Sequence, residues 1–160
     1  MDVFPLRTEQ RYDYASRFNK SHRGIDIFAP RGTLLVAVEA GKARAAEDPK
    51  GGHVVYLDGQ SGTQYYYAHL DATAPAFTWA EVLDVKAGDV IGYLGNTGNA
   101  RTTPPHLHFQ IKLRGGGPVI DPYDELVRTD PKKRARVGPA KPVDDVGAAL
   151  ALLLIVWLSK

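Results

Sequence analysis

From Ile25 to Leu113 the chain repeats one pattern, a short run rich in β-branched and aromatic residues followed by a glycine turn. Leu34–Glu39 runs into Ala40-Gly41, and His53–Asp58 lies between Gly51-Gly52 and Gly59. Thr63–Leu70 follows Ser61-Gly62, Val90–Leu94 precedes Gly95–Gly98, and Leu107–Leu113 precedes Gly115–Gly117. Runs of this length between turn residues predict strands rather than helices. The expectation is a mainly β protein, a compact antiparallel sandwich or partly open barrel with little helix. Val54–Asp58 and Thr63–Tyr67, joined by Gly59–Gly62, predict a hairpin with a loop of about four residues. The one helical pattern is Tyr123–Arg128, enough for one turn or two. There is no internal repeat.

At 160 residues, 44% of them hydrophobic and 24% charged, the chain is sized for one folded domain. We place that domain at 1–128, because composition shifts after Arg128. Residues 129–145 are charged and proline-bearing (DPKKRARVGPAKPVDD over 130–145) and read as a solvated linker. The KKRAR cluster beside prolines belongs to that linker and carries no nucleic-acid reading. Residues 146–160 form a short apolar segment whose core, Val146–Leu158, falls short of the ~20 residues a membrane span needs. It is expected to pack on a surface or partner, with membrane contact as the alternative and a full span disfavoured. Lys132, Lys133, Arg134, Arg136 and Lys141 precede it and only Lys160 follows, so a span would leave the domain in the cytoplasm. The N-terminal MDVFPLRTEQRYDY lacks the basic start and apolar run of a signal peptide. The net charge of +2 suits an anionic polymer without selecting one. With no cysteine, disulfides and thiolate metal sites are excluded, and any metal must be held by histidine and carboxylate.

Five histidines are present: His22, His53, His69, His106 and His108. In a strand His106 and His108 point to one face, able to deliver two ligands, or one ligand and one base, to a single centre. They read equally well as surface histidines flanking a buried Leu107. His22 and Asp26, four apart in an extended SHRGID segment, also share a face. By themselves they fit a structural pair as readily as a metal site. Alternation puts Tyr65, Tyr67 and His69 on one face and Tyr66 and Ala68 on the other, with half-burial in a sheet as the plain reading of His69. Tyr65 and Tyr67 then line a groove or pack in the core. His53 has no acidic or histidine neighbour in sequence and receives no role.

Taken together and in order, HRGIDIFAPRGT, YYAHLD, GDVIGYLGNTG and PPHLHFQI resemble the lysostaphin/LytM family of peptidoglycan peptidases, with Val119–Pro122 similar to the family's domain end. The resemblance covers Phe4 to Tyr123. It implies a β fold with an open active-site groove and one Zn2+ per chain held by His22, Asp26 and His108. His106 is then the general base and His69 a second catalytic histidine. The implied activity is zinc-dependent hydrolysis of peptide bonds in peptidoglycan, with a zinc-activated water, and hence a site of action in the periplasm, the cell wall or the medium. The alternative is a LytM-like binding module that activates other wall hydrolases, and the survival of all five positions favours the enzyme. One departure from the pattern is Arg17–His22, RFNKSH, which lacks the glycine that often follows the phenylalanine. Which peptidoglycan bond is cut is not written in these motifs.

Overall fold

The computed structural model describes residues 1–15, 17–77, 81–114 and 117–133, so the segment 134–145 and the apolar segment 146–160 lie outside the described residues. Ten strands form one antiparallel sheet that is not closed into a barrel. They are β1 (Leu6–Arg7), β2 (Ile25–Phe28), β3 (Leu34–Val36), β4 (Gly41–Asp48), β5 (Gly52–Gly59), β6 (Gln64–Thr73), β7 (Val82–Val85), β8 (Val90–Leu94), β9 (His106–Lys112) and β10 (Val119–Ile120). The helix α1 (Tyr123–Thr129) follows where Tyr123–Arg128 is expected to be helical. No helix among the described residues is long and apolar enough to cross a membrane.

The hairpin of β5 and β6 forms as the sequence predicts, with Asp58 opposite Gln64 and the amide of Gly59 donating to the carbonyl of Thr63. Glu39 seals the loop by accepting from the amide and hydroxyl of Ser61. β4 is not predicted by composition, because alanine and charged residues are poor strand formers. It forms because it is paired along both edges, by β5 over its whole length and by β7 over Gly41–Arg44. Its alternate Ala43 and Ala45 are small enough to lie flat in the core, at 0% and 1% exposure.

β6 is the junction of the sheet. Its first half pairs with β5 on one side and with β9 on the other, where Ala68 stands opposite His108. Its second half leaves β9 and pairs with β8, with a register shift between Leu70 and Ala72. The sheet therefore forks at His69. One branch carries β9 and β2, the other β8, β3 and β1. The cleft left open by the fork is where the functional side chains gather.

The core joins both branches through Ile25, Ile27, Leu35, Leu57, Tyr67, Leu70, Ile91, Leu94, Leu107 and Phe109, all fully buried. Packing continues past the expected domain boundary at 128. Asp130 is 1% exposed and accepts hydrogen bonds from the hydroxyls of Tyr12 and Tyr14, the latter at 2.9 Å. The run after Arg128 therefore begins as a clasp between the two ends of the domain. Asp130→Ala leaves the buried Tyr14 hydroxyl without its acceptor, and a loss of about 2 kcal/mol is expected. A denaturant midpoint unchanged from the parent chain would show the clasp to be idle.

Candidate active site

Three elements bring the predicted ligands together. β2 lies antiparallel to β9 with Asp26 opposite His108 and Phe28 opposite His106, so the carboxylate and both imidazoles share one end of the cleft. His22 arrives from the loop before β2. There Asn19 takes the place of a glycine turn, its Oδ1 accepting from the amides of Ser21 and His22 at 2.9 and 2.8 Å. An asparagine that bonds its own backbone two and three residues on fixes a bend without glycine. The missing glycine of this segment therefore leaves the placement of His22 intact.

The ligand atoms of His22, Asp26 and His108 all lie within 4.8 Å of one another. Oδ1 of Asp26 is 2.8 Å from Nδ1 of His108, 3.1 Å from Nε2 of His22 and 4.0 Å from Nε2 of His106. Burial alone would raise the Asp26 carboxyl. The hydrogen bond from His108 and the nearby His108, His22 and His106 outweigh burial and hold it at about 2. Asp26 is thus a carboxylate at any working pH, as a metal ligand must be. A set of two imidazole nitrogens and one carboxylate oxygen, with no thiolate, fits a catalytic zinc site, which keeps a further position open. His22 directs Nδ1 at the carbonyl of Arg17 (3.3 Å) and His108 has its Nε2 2.9 Å from the Gln110 amide. The His22 ring is therefore oriented from behind by a carbonyl, as metal-binding histidines usually are, whereas the Gln110 NH2 group offers His108 a donor.

Gly24 is required for this approach. A Cβ there would stand 2.6 Å from Nε2 of His108 and 2.7 Å from the carbonyl oxygen of Phe109. Gly24→Ala must push the His108 ring or the β9 backbone aside. The expected result is metal affinity weaker by about 10- to 100-fold, the range for a disturbed outer shell. Competition with a chromogenic chelator reads it, and unaltered affinity would rule out the crowding.

The other two predicted histidines stand beside the ligands, with ring centroids 4.9 Å apart for His69 and His106 and 6.0 Å for His69 and His108. Nδ1 of His106 faces the carbonyl of Pro104 at 2.8 Å, and Nδ1 of His69 faces that of Thr97 at 3.0 Å. A carbonyl only accepts, so in each neutral ring Nδ1 carries the proton and Nε2 keeps its lone pair. Burial, then the neighbouring His106, lower the His69 pKa, with the Thr97 carbonyl opposing them, so this ring stays neutral near pH 7.

His69 corrects the alternation expected for its strand. Its φ of 67° makes it the only non-glycine residue with positive φ among those described. Such a conformation costs on the order of 1–3 kcal/mol and is kept where surroundings enforce it. Here the His69 amide donates to Gly51, the ring to Thr97, and the Thr97 hydroxyl to Leu70 while accepting from the His53 amide. The left-handed step turns His69 onto the face of Tyr66 and Ala68, and all three line the cleft. Tyr65 and Tyr67 are consequently not groove residues. They are 2% and 0% exposed in the core, with their hydroxyls donating to Glu39 and to the carbonyl of Val36. His53 lies outside the cleft, its ring near the Asp71 carbonyl and Glu47.

The cleft holds about 780 Å³ and is lined by His22, Asp26, His69, His106 and His108 at one part and by Tyr56, Tyr66, Gln64, Gln110 and Lys112 beyond. It has room for an extended peptide, with a cluster able to hold a metal beside two imidazoles whose free nitrogens accept protons. Of the added lining residues, Gln110 and Lys112 were within reach of sequence reasoning, since they continue the period of two from His106 and His108. Thr97, Asn19 and Gly24 act through backbone contacts that no local pattern announces.

Residues 20–122 match the model of peptidase family M23. The chain is 40% identical over 115 residues to the DD-carboxypeptidase/endopeptidase Mpg of Neisseria meningitidis, a match over 68% of this chain and 25% of that protein. It is 34% identical over 97 residues to the peptidoglycan DD-endopeptidase ShyC of Vibrio cholerae, over 60% of this chain and 21% of that protein. The chain thus spans a quarter or less of the length of these curated relatives. Its structure is similar to that of the antimicrobial peptidase lysostaphin from Staphylococcus simulans, with a TM-score of 0.62, 28% identity, and coverage of 82% of this chain and 56% of that one.

Proposed function

Because the chain belongs to peptidase family M23, we propose that it is a zinc-dependent endopeptidase that hydrolyses peptide bonds in bacterial peptidoglycan and acts outside the cytoplasm. The observation that carries this reading is the convergence of His22, Asp26 and His108 within 4.8 Å, at a cleft that also receives the free nitrogens of His69 and His106. His22, Asp26 and His108 would hold one Zn2+, which when bound would supply Lewis acidity toward water and the scissile carbonyl.

The protein's own groups handle the protons. Nε2 of His106 takes the proton of the attacking water and returns it to the leaving amine, a task suited to an imidazole whose other nitrogen is tied to the Pro104 carbonyl. His69 has the same polarity, with Nδ1–H spent on Thr97. With Nδ1–H on the Thr97 carbonyl, Nε2 of the neutral ring is left to accept a hydrogen bond, and His69 positions the attacking water. The Tyr56–Tyr66 pair, centroids 5.1 Å apart, gives the cleft an aromatic wall beyond the ligands.

The test is digestion of isolated sacculi by purified protein, with fragments identified by mass spectrometry. New peptide ends that disappear with chelator and return with zinc are expected, and they name the bond cut. Folded, zinc-loaded protein that releases nothing would overturn the reading in favour of a non-catalytic activator of other wall hydrolases.

A further inference from the structure

The floor of the cleft continues past the ligands into a set of side chains that hydrolysis itself does not use. β9 turns His106, His108, Gln110 and Lys112 to the cleft at alternate positions. A strand rises about 3.3 Å per residue, so Lys112 lies about 13 Å from His108 along the floor, the length of about four residues of extended peptide. Across the sheet Lys112 faces Gln64 of β6 and Val119 of β10, both also in the lining. Its immediate surroundings on the floor are thus two neutral amides and an aliphatic side chain.

The other cations of the lining are Arg23 and Lys50, both exposed. Neither they nor Lys112 enter any ion pair among the described residues. The two carboxylates of the lining are already committed. Asp26 faces the ligand histidines, and Asp48 Oδ1 accepts from the amides of Lys50 and Gly51. Lys112, partly buried and flanked on the floor by Gln64, Gln110 and Val119, is thus a cation of the lining left open to a ligand that brings the counter-charge.

We propose that Lys112 is the binding point for a carboxylate of the substrate, about four residues from the scissile bond, with Arg23 and Lys50 attracting the same acidic chain. This rests on the peptidase reading above and narrows it to a substrate class. Stem peptides carry free carboxylates and a glycine bridge carries none along its length. The cleft is therefore built for an acidic stem-peptide strand and not for a neutral bridge.

A matched pair of synthetic cross-linked stem peptides tests this, identical except that side-chain and α-carboxylates are free in one and carboxamides in the other. Two readouts are needed. One is kcat/KM with the zinc-loaded full chain. The other is fluorescence anisotropy of the same peptides on zinc-loaded His106→Ala protein, which requires no turnover. The free acid is expected to be favoured by about tenfold or more, chiefly in KM, as for one charge-assisted contact. In Lys112→Met that ratio falls toward one. Lys42→Met, the same charge change at a residue that pairs with Asp84 outside the cleft, keeps it. Equal use of both peptides would overturn the carboxylate site while leaving the peptidase reading intact. A ratio that drops as far in Lys42→Met as in Lys112→Met would overturn it too, by reducing the effect to net charge. Selective binding with no cleavage of either peptide would support the site and defeat the peptidase reading.

Discussion

Asp26→Ala is expected to lose bound metal and activity together. Its Oδ1 is the point on which the cluster converges, with His108 at 2.8 Å, His22 at 3.1 Å and His106 at 4.0 Å. Removing it takes away the only anionic ligand and leaves imidazoles facing one another. The loss of affinity should exceed the roughly 10- to 100-fold that accompanies damage to an outer-shell partner. The fold itself should persist, because Asp26 is tied into β2 through backbone pairing to His108 of β9, and its side chain faces the cleft and not the core. Metal content after gel filtration, circular dichroism and sacculus digestion together decide the matter. A folded Asp26→Ala protein with full zinc occupancy would remove Asp26 from the ligand set.

How much of this was legible beforehand depends on what each residue answers to. Strands rich in valine, tyrosine and leucine announced themselves through propensity and turn chemistry, as in β5, β6 and β8. β4 did not, since its alanines and charges become a strand only when β5 and β7 flank it. The five site positions could be picked out as a set because His-x-x-x-Asp, Tyr-Ala-His-Leu and His-Leu-His recur together in the family. Local alternation alone failed at His69. A period of two assumes extended backbone throughout, and one residue at φ 67° breaks that period at its own position. That single step explains why His69 shares the cleft with Tyr66 while Tyr65 and Tyr67 fill the core. The same limit applies to Asp130, whose partners Tyr12 and Tyr14 stand more than a hundred positions away in sequence. No composition window can connect residues at that separation.

His106→Ala should separate chemistry from metal binding, the complement of Asp26→Ala. His106 is 6% exposed, and its Nδ1 is fixed on the Pro104 carbonyl so that Nε2 faces the cleft. Nothing in that arrangement is needed to hold His22, Asp26 and His108 together, since the pair His106–Asp26 is the longest contact around the carboxylate at 4.0 Å. Zinc content should therefore match that of the parent chain. Turnover should fall by about 10²- to 10⁴-fold, the usual contribution of a general base. The position of His69 bears on where in that range the loss falls. Its ring is 4.9 Å from His106, centroid to centroid, and it presents the same unprotonated nitrogen to the cleft. If His69 accepts the proton in its neighbour's absence, the single variant stays near the lower end, and His69→Ala/His106→Ala falls much further than either alone. Initial rates on a defined stem peptide, with zinc measured in the same samples, give both numbers. A zinc-replete His106→Ala enzyme at parental turnover would take the base assignment away from His106 and leave His69 as the proton acceptor.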